Sequence, residues 1–173
     1  MSADDLRAKI REIPDFPKPG ILFYDITTLL KEPAAFAEAI DLLIEPYRDT
    51  KIDVVVGMES RGFIFSAPMA IRLNAGFVPV RKLGKLPAET VSVEYALEYG
   101  TNTLEVHKDA LQPGQRVLIV DDLLATGGTV LGTIELVGML KAEVIGLAFL
   151  VELMFLKGRE RLRDQSIHSV IQY

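Results

Sequence analysis

Cysteine is absent from the 173 residues of the chain. This excludes disulfide bonds, catalysis by a thiolate and zinc sites built from cysteine. Basic residues are also in the minority, because 24 acidic residues against 19 lysines and arginines give a formal net charge of −5. A broad basic surface is therefore not predicted, and we expect no nucleic-acid partner. A small anionic ligand is still compatible, since a local cluster of backbone N–H groups can bind phosphate on an acidic protein.

Long apolar runs are missing as well. The longest, residues 145–151, is too short to span a bilayer, and the polar beginning of the chain lacks the apolar stretch of a secretory signal peptide. We therefore expect a cytoplasmic protein with no membrane partner. The length suits one domain, residues 1–173, and 49 % hydrophobic and 25 % charged residues are ordinary for a globular fold.

The most informative stretch of the sequence is residues 117–129. Its four apolar residues, 117–120, are followed directly by Asp121 and Asp122. A continuous apolar run is typical of a strand covered on both faces, so we predict a strand that ends at Val120. The two carboxylates would then lie at the carboxyl edge of the sheet, where open α/β folds bind ligands. Carboxylates can accept hydrogen bonds from the hydroxyls of a ribose.

A loop of small residues follows the acidic pair and precedes a predicted helix. The loop residues are Ala125, Thr126, Gly127, Gly128 and Thr129. Backbone N–H groups, flexible glycines and the positive end of the helix dipole together predict an anion site here. The dinucleotide fingerprint and the Walker A loop are both absent from the sequence. The alternative is a buried strand followed by an ordinary turn, but such a turn does not require paired acids.

Apolar periodicity predicts that strands and helices alternate along the chain. The predicted strands, besides the one before Asp121, are residues 53–58, 77–82, 143–153 and 167–171. Helices are predicted from Pro33 onwards, over residues 62–73 and after the small-residue loop. Residues 91–99 alternate with period two, which is typical of a half-buried β-ribbon. The fold class is therefore α/β, with a largely parallel central sheet flanked by helices.

Residues 117–129 resemble the phosphoribosyl-diphosphate signature of type I phosphoribosyltransferases. In that family the acidic pair binds the hydroxyls of the ribose, and the loop after it binds the 5-phosphate. The resemblance implies these roles for Asp121 and Asp122 and for loop residues 125–129. It also implies a type I phosphoribosyltransferase-like fold with a small N-terminal hood and a flexible β-ribbon lid.

Two further loops are expected at the same edge of the sheet. Ser60 and Arg61 follow one predicted strand, and the resemblance implies a diphosphate-binding loop there. The planar guanidinium of Arg61 suits a diphosphate because it can hold two oxygens at once. The alternative is a helix start capped by Ser60, with Arg61 in solvent. Lys82 and Lys85 belong to the run of residues 81–85 that closes the next strand and are interpreted as polyanion ligands, with a solvated strand edge as the alternative.

The predicted β-ribbon resembles the flexible loop of adenine phosphoribosyltransferases. The sequence Leu-Glu-Tyr-Gly at residues 97–100, with Glu105 and residues 108–111, carries this resemblance. It implies that Glu98 lies near N7 of the purine as the acid/base candidate. It also implies that Tyr99 closes over the site, as part of a lid at about residues 83–105.

The N-terminal segment, residues 16–25, resembles the hood that covers the base in adenine phosphoribosyltransferases. The resemblance implies that backbone groups of Leu22 and Tyr24 contact the edge of adenine and that the ring of Phe23 stacks on it. The hood would comprise about residues 1–30. A hydrophobic arm that packs on the core is the alternative.

The resemblance as a whole implies an adenine phosphoribosyltransferase of purine salvage, which converts adenine and 5-phosphoribosyl 1-diphosphate to AMP and diphosphate. Glu98, Arg61 and Asp121 would be its catalytic residues. We expect Mg²⁺ held mainly by the substrate's diphosphate and ribose hydroxyls, no dedicated protein ligand for the metal, and a homodimer. Two alternatives stay open: a transferase for another purine, xanthine or hypoxanthine, and a non-catalytic regulator that senses phosphoribosyl diphosphate.

Overall fold

The structure is a computed structural model that describes residues 1–96 and 100–173. It contains two compact units, Met1–Leu42 and Leu43–Tyr173. The division expected from the sequence, one domain with a hood at about residues 1–30 and a lid at about residues 83–105, stays a prediction.

The first unit contains a two-stranded hairpin that the sequence did not predict. Its elements are α1 (Ala3–Arg7), β1 (Arg11–Pro14), β2 (Leu22–Asp25), α2 (Thr27–Leu30) and most of α3 (Pro33–Ile44). Strands β1 and β2 are antiparallel, with Arg11 opposite Asp25. The carboxylate of Asp25 accepts the Nε–H of Arg11 at 3.0 Å and the backbone N–H of Thr27 at 2.9 Å. Hydrogen bonds from the Thr27 hydroxyl and from Arg11 lower the pKa of Asp25 to about 2.

A seven-stranded sheet forms the centre of the second unit. Its strands are β3 (Val54–Met58), β4 (Gly76–Lys82), β5 (Thr90–Ala96), β6 (Thr101–His107), β7 (Arg116–Leu124), β8 (Glu143–Glu152) and β9 (Ile167–Gln172). They lie in the order β5–β6–β4–β3–β7–β8–β9. The helices of this unit are α4 (Gly62–Arg72), α5 (Gly128–Met139) and the short 3-10 helices Glu45–Tyr47, Met154–Leu156 and Gly158–Leu162. Strand β6 is antiparallel to both neighbours, and the other pairs are parallel. The predicted largely parallel sheet is therefore confirmed.

Helices α4 and α5 cover the two faces of the sheet. In β3, Val56 belongs to the buried cluster that includes Val130 of α5. The next residue, Gly57, faces α4 instead, because a Cβ atom at that position would lie 2.1 Å from Oγ of Ser66. Successive residues of a strand point to opposite faces, so both faces of the central strands are buried. This double burial explains why those strands are continuously apolar.

Strand β7 is longer than the sequence predicted. The expected end at Val120 is wrong, because the strand continues to Leu124. Pairing with β3 does stop where Val120 lies opposite Gly57, but pairing with β8 continues until Leu124 lies opposite Glu152. Asp121 and Asp122 therefore lie within the strand, beyond the end of its pairing with β3. The apolar run could not reveal this extension, since hydrogen bonds to β8 maintain it.

Strands β5 and β6 form the predicted β-ribbon at one edge of the sheet. Val93 is buried and Glu94 is exposed, in agreement with the predicted alternation. Residues 97–99 lie outside the described residues. The roles expected for Glu98 and Tyr99 therefore stay predictions.

Candidate active site

The acidic pair of β7 lies against the start of α4. Asp122 is buried, and its Oδ2 lies 3.0 Å from Nε of Arg61. Asp121 lies close to Gly62, the residue after Arg61, because a Cβ atom on Gly62 would lie 2.8 Å from Oδ1 of Asp121. Glycine at position 62 therefore lets this carboxylate lie directly beside the helix backbone. The fold thus brings Arg61 and the two aspartates together, although they are distant in the sequence.

Ionising both carboxylates is costly at this position. Burial, followed by the neighbouring charge of Asp122, raises the pKa of Asp121 well above its ordinary value. Burial also raises the pKa of Asp122, although Arg61 opposes that shift. The backbone N–H of Asp122 donates to Oδ1 of Asp121 at 2.9 Å. A ligand that offers hydroxyl hydrogens or carries positive charge would favour the ionised forms of these two carboxylates.

The loop between β3 and α4 contains Ser60 and Arg61, and its Glu59–Ser60 peptide bond is cis. The alternative of a helix start capped by Ser60 is not supported. Arg61 itself occupies the N-cap position, and no side chain in the described part of the protein caps α4. Arg61 is 41 % exposed but forms an ion pair with Asp122, so it is not simply a solvated cation.

Glu59 joins this loop to the end of β4, a contact that the sequence analysis missed. The carboxylate of Glu59 accepts the backbone N–H of Lys82, and it also lies 3.2 Å from Nη2 of Arg81. Burial raises the pKa of Glu59, but these contacts outweigh it and hold the pKa below its ordinary value. The described contacts thus connect Lys82 to the loop, and they include none that connects Lys85 to the acidic pair. Both lysines are exposed.

The predicted phosphate loop, residues 125–129, leads from β7 into α5. Gly127 occupies the N-cap of α5 with φ of +84°, a conformation that glycine adopts without strain. The carbonyl of Gly127 accepts the backbone N–H of Leu131 at 3.0 Å, which is the first bond of the helix. The N–H groups of Gly128 and Thr129 come before it and have no intrahelical partner. Together with the helix dipole, they suit an anion.

The β-ribbon reaches the same loop. A Cβ atom on Gly128 would lie 3.5 Å from the carbonyl oxygen of Ala96 and 3.7 Å from the ring of Tyr95. The end of β5 therefore lies within van der Waals distance of the first turn of α5. Glu98 follows Ala96 two positions later in the sequence.

The three residues expected to contact the base, Leu22, Phe23 and Tyr24, all lie on β2 of the first unit. Leu22 is 41 % exposed, whereas the other two are half-buried. The ring of Phe23 packs edge-on against that of Phe16, with centroids 5.1 Å apart. Burial and the nearby charge of Glu12 raise the pKa of Tyr24, so its hydroxyl stays protonated at neutral pH.

Comparison with known proteins identifies the family. Residues 25–172 match the model of the phosphoribosyl transferase domain. The chain belongs to the phosphoribosyltransferase family. The adenine phosphoribosyltransferase of Koribacter versatilis is 61 % identical over 170 residues, which are 98 % of this chain and 93 % of that protein.

Two solved phosphoribosyltransferase structures are similar along the whole chain. The adenine phosphoribosyltransferase of Thermoanaerobacter pseudethanolicus has a TM-score of 0.96 and 53 % identity, and the match covers 99 % of this chain and 100 % of that one. The enzyme of Saccharomyces cerevisiae was solved with adenine and an imino-altritol bisphosphate. Its TM-score is 0.92 at 42 % identity, and the match covers 97 % of both chains. The predicted resemblance to adenine phosphoribosyltransferases, the type I fold and the enzyme class, a pentosyltransferase, are therefore confirmed.

Phosphoribosyltransferases generally use Mg²⁺. Within the described residues, however, no three histidine, aspartate or glutamate side chains come together as a metal site. The described part of the chain also contains no helix that is long and apolar enough to cross a membrane.

Sequence reasoning missed two residues that shape this phosphoribosyltransferase site, Glu59 and Gly62. They directly flank Ser60 and Arg61, the two residues of this loop that the sequence predicted to bind diphosphate. The available signal was a carboxylate before the loop and a glycine after it. That signal does not reveal the partners, because Lys82 and Asp121 lie on other strands.

Proposed function

We propose that the protein transfers the phosphoribosyl group of 5-phosphoribosyl 1-diphosphate to adenine, forming AMP and diphosphate in purine salvage. The observation that carries the proposal is the acidic pair, half-buried Asp121 and buried Asp122, beside Arg61, with residues 125–129 after the end of the same strand. One site then offers acceptors for ribose hydroxyls, a cation for a diphosphate and N–H groups for a phosphate. The match to adenine phosphoribosyltransferases over almost the whole chain supports the choice of base.

The acidic pair binds the ribose in this proposal. Asp121 and Asp122 accept hydrogen bonds from its hydroxyls, and their charge also stabilises the transition state. Breaking the bond between the anomeric carbon and diphosphate places positive charge on the ribose ring, and negative groups nearby lower the energy of that charge. When no ligand is bound, the positive charge of Arg61 partly compensates the negative charge of the acidic pair.

In this proposal the leaving diphosphate is bound by Ser60 and Arg61 of the loop between β3 and α4, by Lys82 at the end of β4 and by Lys85 shortly after it. Arg61 is suited to two oxygens at once. Glu59 supports this assignment, because its contacts with Arg81 and Lys82 hold the end of β4 next to the loop. Positive groups at this place stabilise the negative charge that develops on the leaving group.

The 5-phosphate binds at the start of α5. The backbone N–H groups of Gly128 and Thr129 and the hydroxyls of Thr126 and Thr129 are its donors, and the helix dipole adds a favourable field. Ala125 and Gly127 form the bend that aims these donors.

Mg²⁺ fits this site as a metal held mainly by the substrate. Among the described residues no three acidic or histidine side chains form a metal site, and the two carboxylates of Asp121 and Asp122 alone do not complete an octahedral shell. When bound, Mg²⁺ would neutralise the diphosphate and so make it a better leaving group. Asp121 and Asp122 orient the ribose hydroxyls that take part in holding the metal.

Adenine binds under the hood in this proposal, through backbone groups of Leu22 and Tyr24 and the ring of Phe23. Its N9 attacks the anomeric carbon, so a proton of the imidazole ring must be removed or redistributed. Glu98 near N7 is the group for that proton. Tyr99 closes over the site and excludes water, which would otherwise trap the ribosyl cation.

A direct assay tests the proposed reaction. Purified protein with radiolabelled adenine, phosphoribosyl diphosphate and Mg²⁺ should form labelled AMP. Hypoxanthine and xanthine should compete poorly. Preferred turnover of either base would favour the other purine transferases, and binding of phosphoribosyl diphosphate without any turnover would favour the regulator.

Replacing Arg61 with alanine should raise the KM for phosphoribosyl diphosphate by about tenfold or more, and it should change the KM for adenine much less. The substitution removes a charge-assisted contact worth roughly 1.5–3 kcal/mol to a polyanion that lies away from the base. Steady-state kinetics with each substrate varied in turn measures the two constants.

Arg72→Ala is the matched control, because Arg72 is an exposed arginine at the other end of the same helix. It should leave both constants near their wild-type values. Equal changes in both KM values for Arg61→Ala would instead indicate a general loss of the helix start.

We also propose that the protein is a homodimer. An exposed apolar patch on α4 and β4 supports this. Ile64 and Ile71 share a face of α4 and are 36 % and 82 % exposed, and Phe77 of β4 is 38 % exposed. The ring of Phe77 lies edge-on to Phe63, with centroids 5.7 Å apart. Exposed apolar side chains of this size favour a protein contact, and two copies can bury the same side chains around a twofold axis.

Ile71→Glu should convert the dimer to a monomer, because it would place an unpaired charge in the contact. Analytical ultracentrifugation at micromolar concentration measures the change. Phe155→Glu is the control, since Phe155 is 69 % exposed but lies on a different surface segment, the 3-10 helix Met154–Leu156. A wild-type chain that sediments as a monomer and is fully active would refute the dimer.

A further inference from the structure

The segment that follows β8 lies against the phosphate loop. The backbone N–H of Leu153 donates to the carbonyl of Leu124 at 3.0 Å. Further along, Nη1 of Arg161 donates to the carbonyl of Thr126 at 3.2 Å. This segment therefore donates hydrogen bonds to two carbonyl groups of the chain that leads into α5. None of these contacts was visible in the sequence patterns.

Gly158 makes the closest approach to the loop. It is buried, and a Cβ atom at this position would lie 2.2 Å from the carbonyl oxygen of Ala125 and 3.1 Å from Cδ1 of Leu124. The contact is reciprocal, because a Cβ atom on Gly127 would lie 3.1 Å from the carbonyl oxygen of Gly158. Two glycines thus allow two backbones to touch. Glycine is needed at position 158 because a side chain there would collide with the loop.

The neighbour of Gly158 is anchored to the sheet. Nε and Nη2 of Arg159 bind the two carboxylate oxygens of Glu152 at 3.0 and 2.6 Å, and Glu152 is 2 % exposed. Nη2 of Arg159 also lies 3.2 Å from Oγ of Ser169, and its Nη1 donates to the carbonyl of Ile167 at 3.4 Å. The guanidinium group therefore connects Arg159 to both β8 and β9 by hydrogen bonds. A bidentate contact fixes orientation as well as distance.

The charge state of this anchor is stable around neutral pH. Burial raises the pKa of Glu152, but hydrogen bonds from Arg159 and Ser169 outweigh it and hold the pKa below its ordinary value. The same pair raises the pKa of Arg159. The ion pair persists wherever the enzyme would work, so the backbone of Gly158 has a fixed support.

We propose that Gly158 is a positioning residue for the phosphate loop and that, held by the Arg159–Glu152 pair, it sets the affinity for the phosphate group of substrate and product. This inference rests on the proposed binding of the 5-phosphate by residues 125–129. Gly158 does not touch the ligand. It supports the carbonyl side of the bend at Ala125, so that the N–H groups of Gly128 and Thr129 point towards the anion.

Gly158→Ala tests the proposal. The added methyl group must move the Ala125 carbonyl by about 1 Å, and a displacement of that size typically costs up to about 100-fold. Isothermal titration calorimetry of the full chain with AMP and with adenosine separates the effects, because adenosine has the same base and ribose but no phosphate. We expect AMP affinity to fall about 10- to 100-fold and adenosine affinity to change less than about twofold.

Gly138→Ala is the matched control. Gly138 is on α5, and a Cβ atom there would meet nothing within 4 Å, so neither affinity should change. If Gly158→Ala does not fold, Arg159→Lys replaces it, because lysine keeps the charge beside Glu152 and loses only the planar fork. It should weaken AMP several-fold and leave adenosine unchanged.

The outcomes distinguish two failures. A wild-type protein that binds adenosine as tightly as AMP would refute the phosphate loop and with it the proposed function. A wild-type preference for AMP that survives in folded Gly158→Ala, or in Arg159→Lys, would overturn this inference alone. Equal loss of AMP and adenosine affinity would also overturn it, since Gly158 would then act on the whole fold.

Discussion

Turnover should fall by about two to four powers of ten when Asp121 and Asp122 are both replaced with asparagine. Each charge-assisted hydrogen bond to a ribose hydroxyl is worth roughly 1.5–3 kcal/mol, or about one to two powers of ten in rate. Asparagine keeps the volume, and its Oδ1 at position 121 can still accept the backbone N–H of residue 122. The fold should therefore remain intact.

Steady-state AMP formation measures this loss, and circular dichroism checks the fold. Asp109→Asn is the control, because Asp109 is exposed on the turn after β6 and lies outside the acidic pair and the loops assigned to the substrate. Wild-type kinetics in the double variant would contradict the role of the acidic pair in binding ribose.

Asp121→Asn alone should also raise the melting temperature at neutral pH, opposite in direction to its effect on turnover. The pKa of Asp121 is raised in the folded chain by burial and by Asp122, so the folded state binds a proton more readily than the unfolded state. The ionised carboxylate therefore opposes folding above the raised pKa. This cost disappears as the pH falls towards the ordinary value of about 3.9.

Differential scanning calorimetry across the pH range tests whether Asp121→Asn raises the melting temperature. The gain in melting temperature should be largest at about pH 8 and should vanish at about pH 4, where the wild-type carboxylate is protonated in the folded state. A loss of stability at neutral pH would mean that the charge of Asp121 is better compensated than the structure indicates.

Glu98→Gln should lower turnover by about two to four powers of ten, the usual contribution of a general acid or base. Glutamine keeps the shape and the hydrogen-bonding capacity of the side chain but cannot exchange a proton. Binding of adenine and of phosphoribosyl diphosphate should stay nearly unchanged. The expected result is thus a fall in kcat, with dissociation constants measured by calorimetry close to wild type.

Glu94→Gln is the matched control for Glu98. Glu94 is exposed on β5, opposite Thr103 of β6, and belongs to the same predicted ribbon. It should have little effect on either constant. Normal turnover in Glu98→Gln, or a strong effect of Glu94→Gln, would show that the proton-transfer role has been assigned to the wrong residue.

Much of the site was predictable because its parts are contiguous in the sequence. The strand, the acidic pair, the small-residue loop and α5 follow one another within residues 116–139, so local patterns contain the whole unit. Glycine at position 127 is needed for a positive φ, and the helix begins at the next residue. The family resemblance depends on the same stretch, which explains why it could be stated before any contact was known.

Other features could not be predicted, because non-local hydrogen bonds decide them. Pairing with β8 carries β7 past Val120 to Leu124, so the predicted end of the strand was wrong. The β1–β2 hairpin was missed because Pro14 and the following proline-rich segment obscure a short strand pattern. Lys82 and Lys85 looked equivalent in the sequence, but only Lys82 has a described contact with the Glu59 loop.

The sequence by itself determined the α/β class and the local chemistry of residues 117–129, because both follow from residue types at short spacing, and it indicated the family through the resemblance of that stretch to a known signature. Only the tertiary structure decided which residues surround that chemistry. Arg61 forms an ion pair with Asp122, Glu59 accepts the backbone N–H of Lys82, and Gly158 lies against the carbonyl of Ala125. The order of strands brings these partners together from distant parts of the chain. Their fit depends on separations of a few ångströms, which periodicity and composition do not encode.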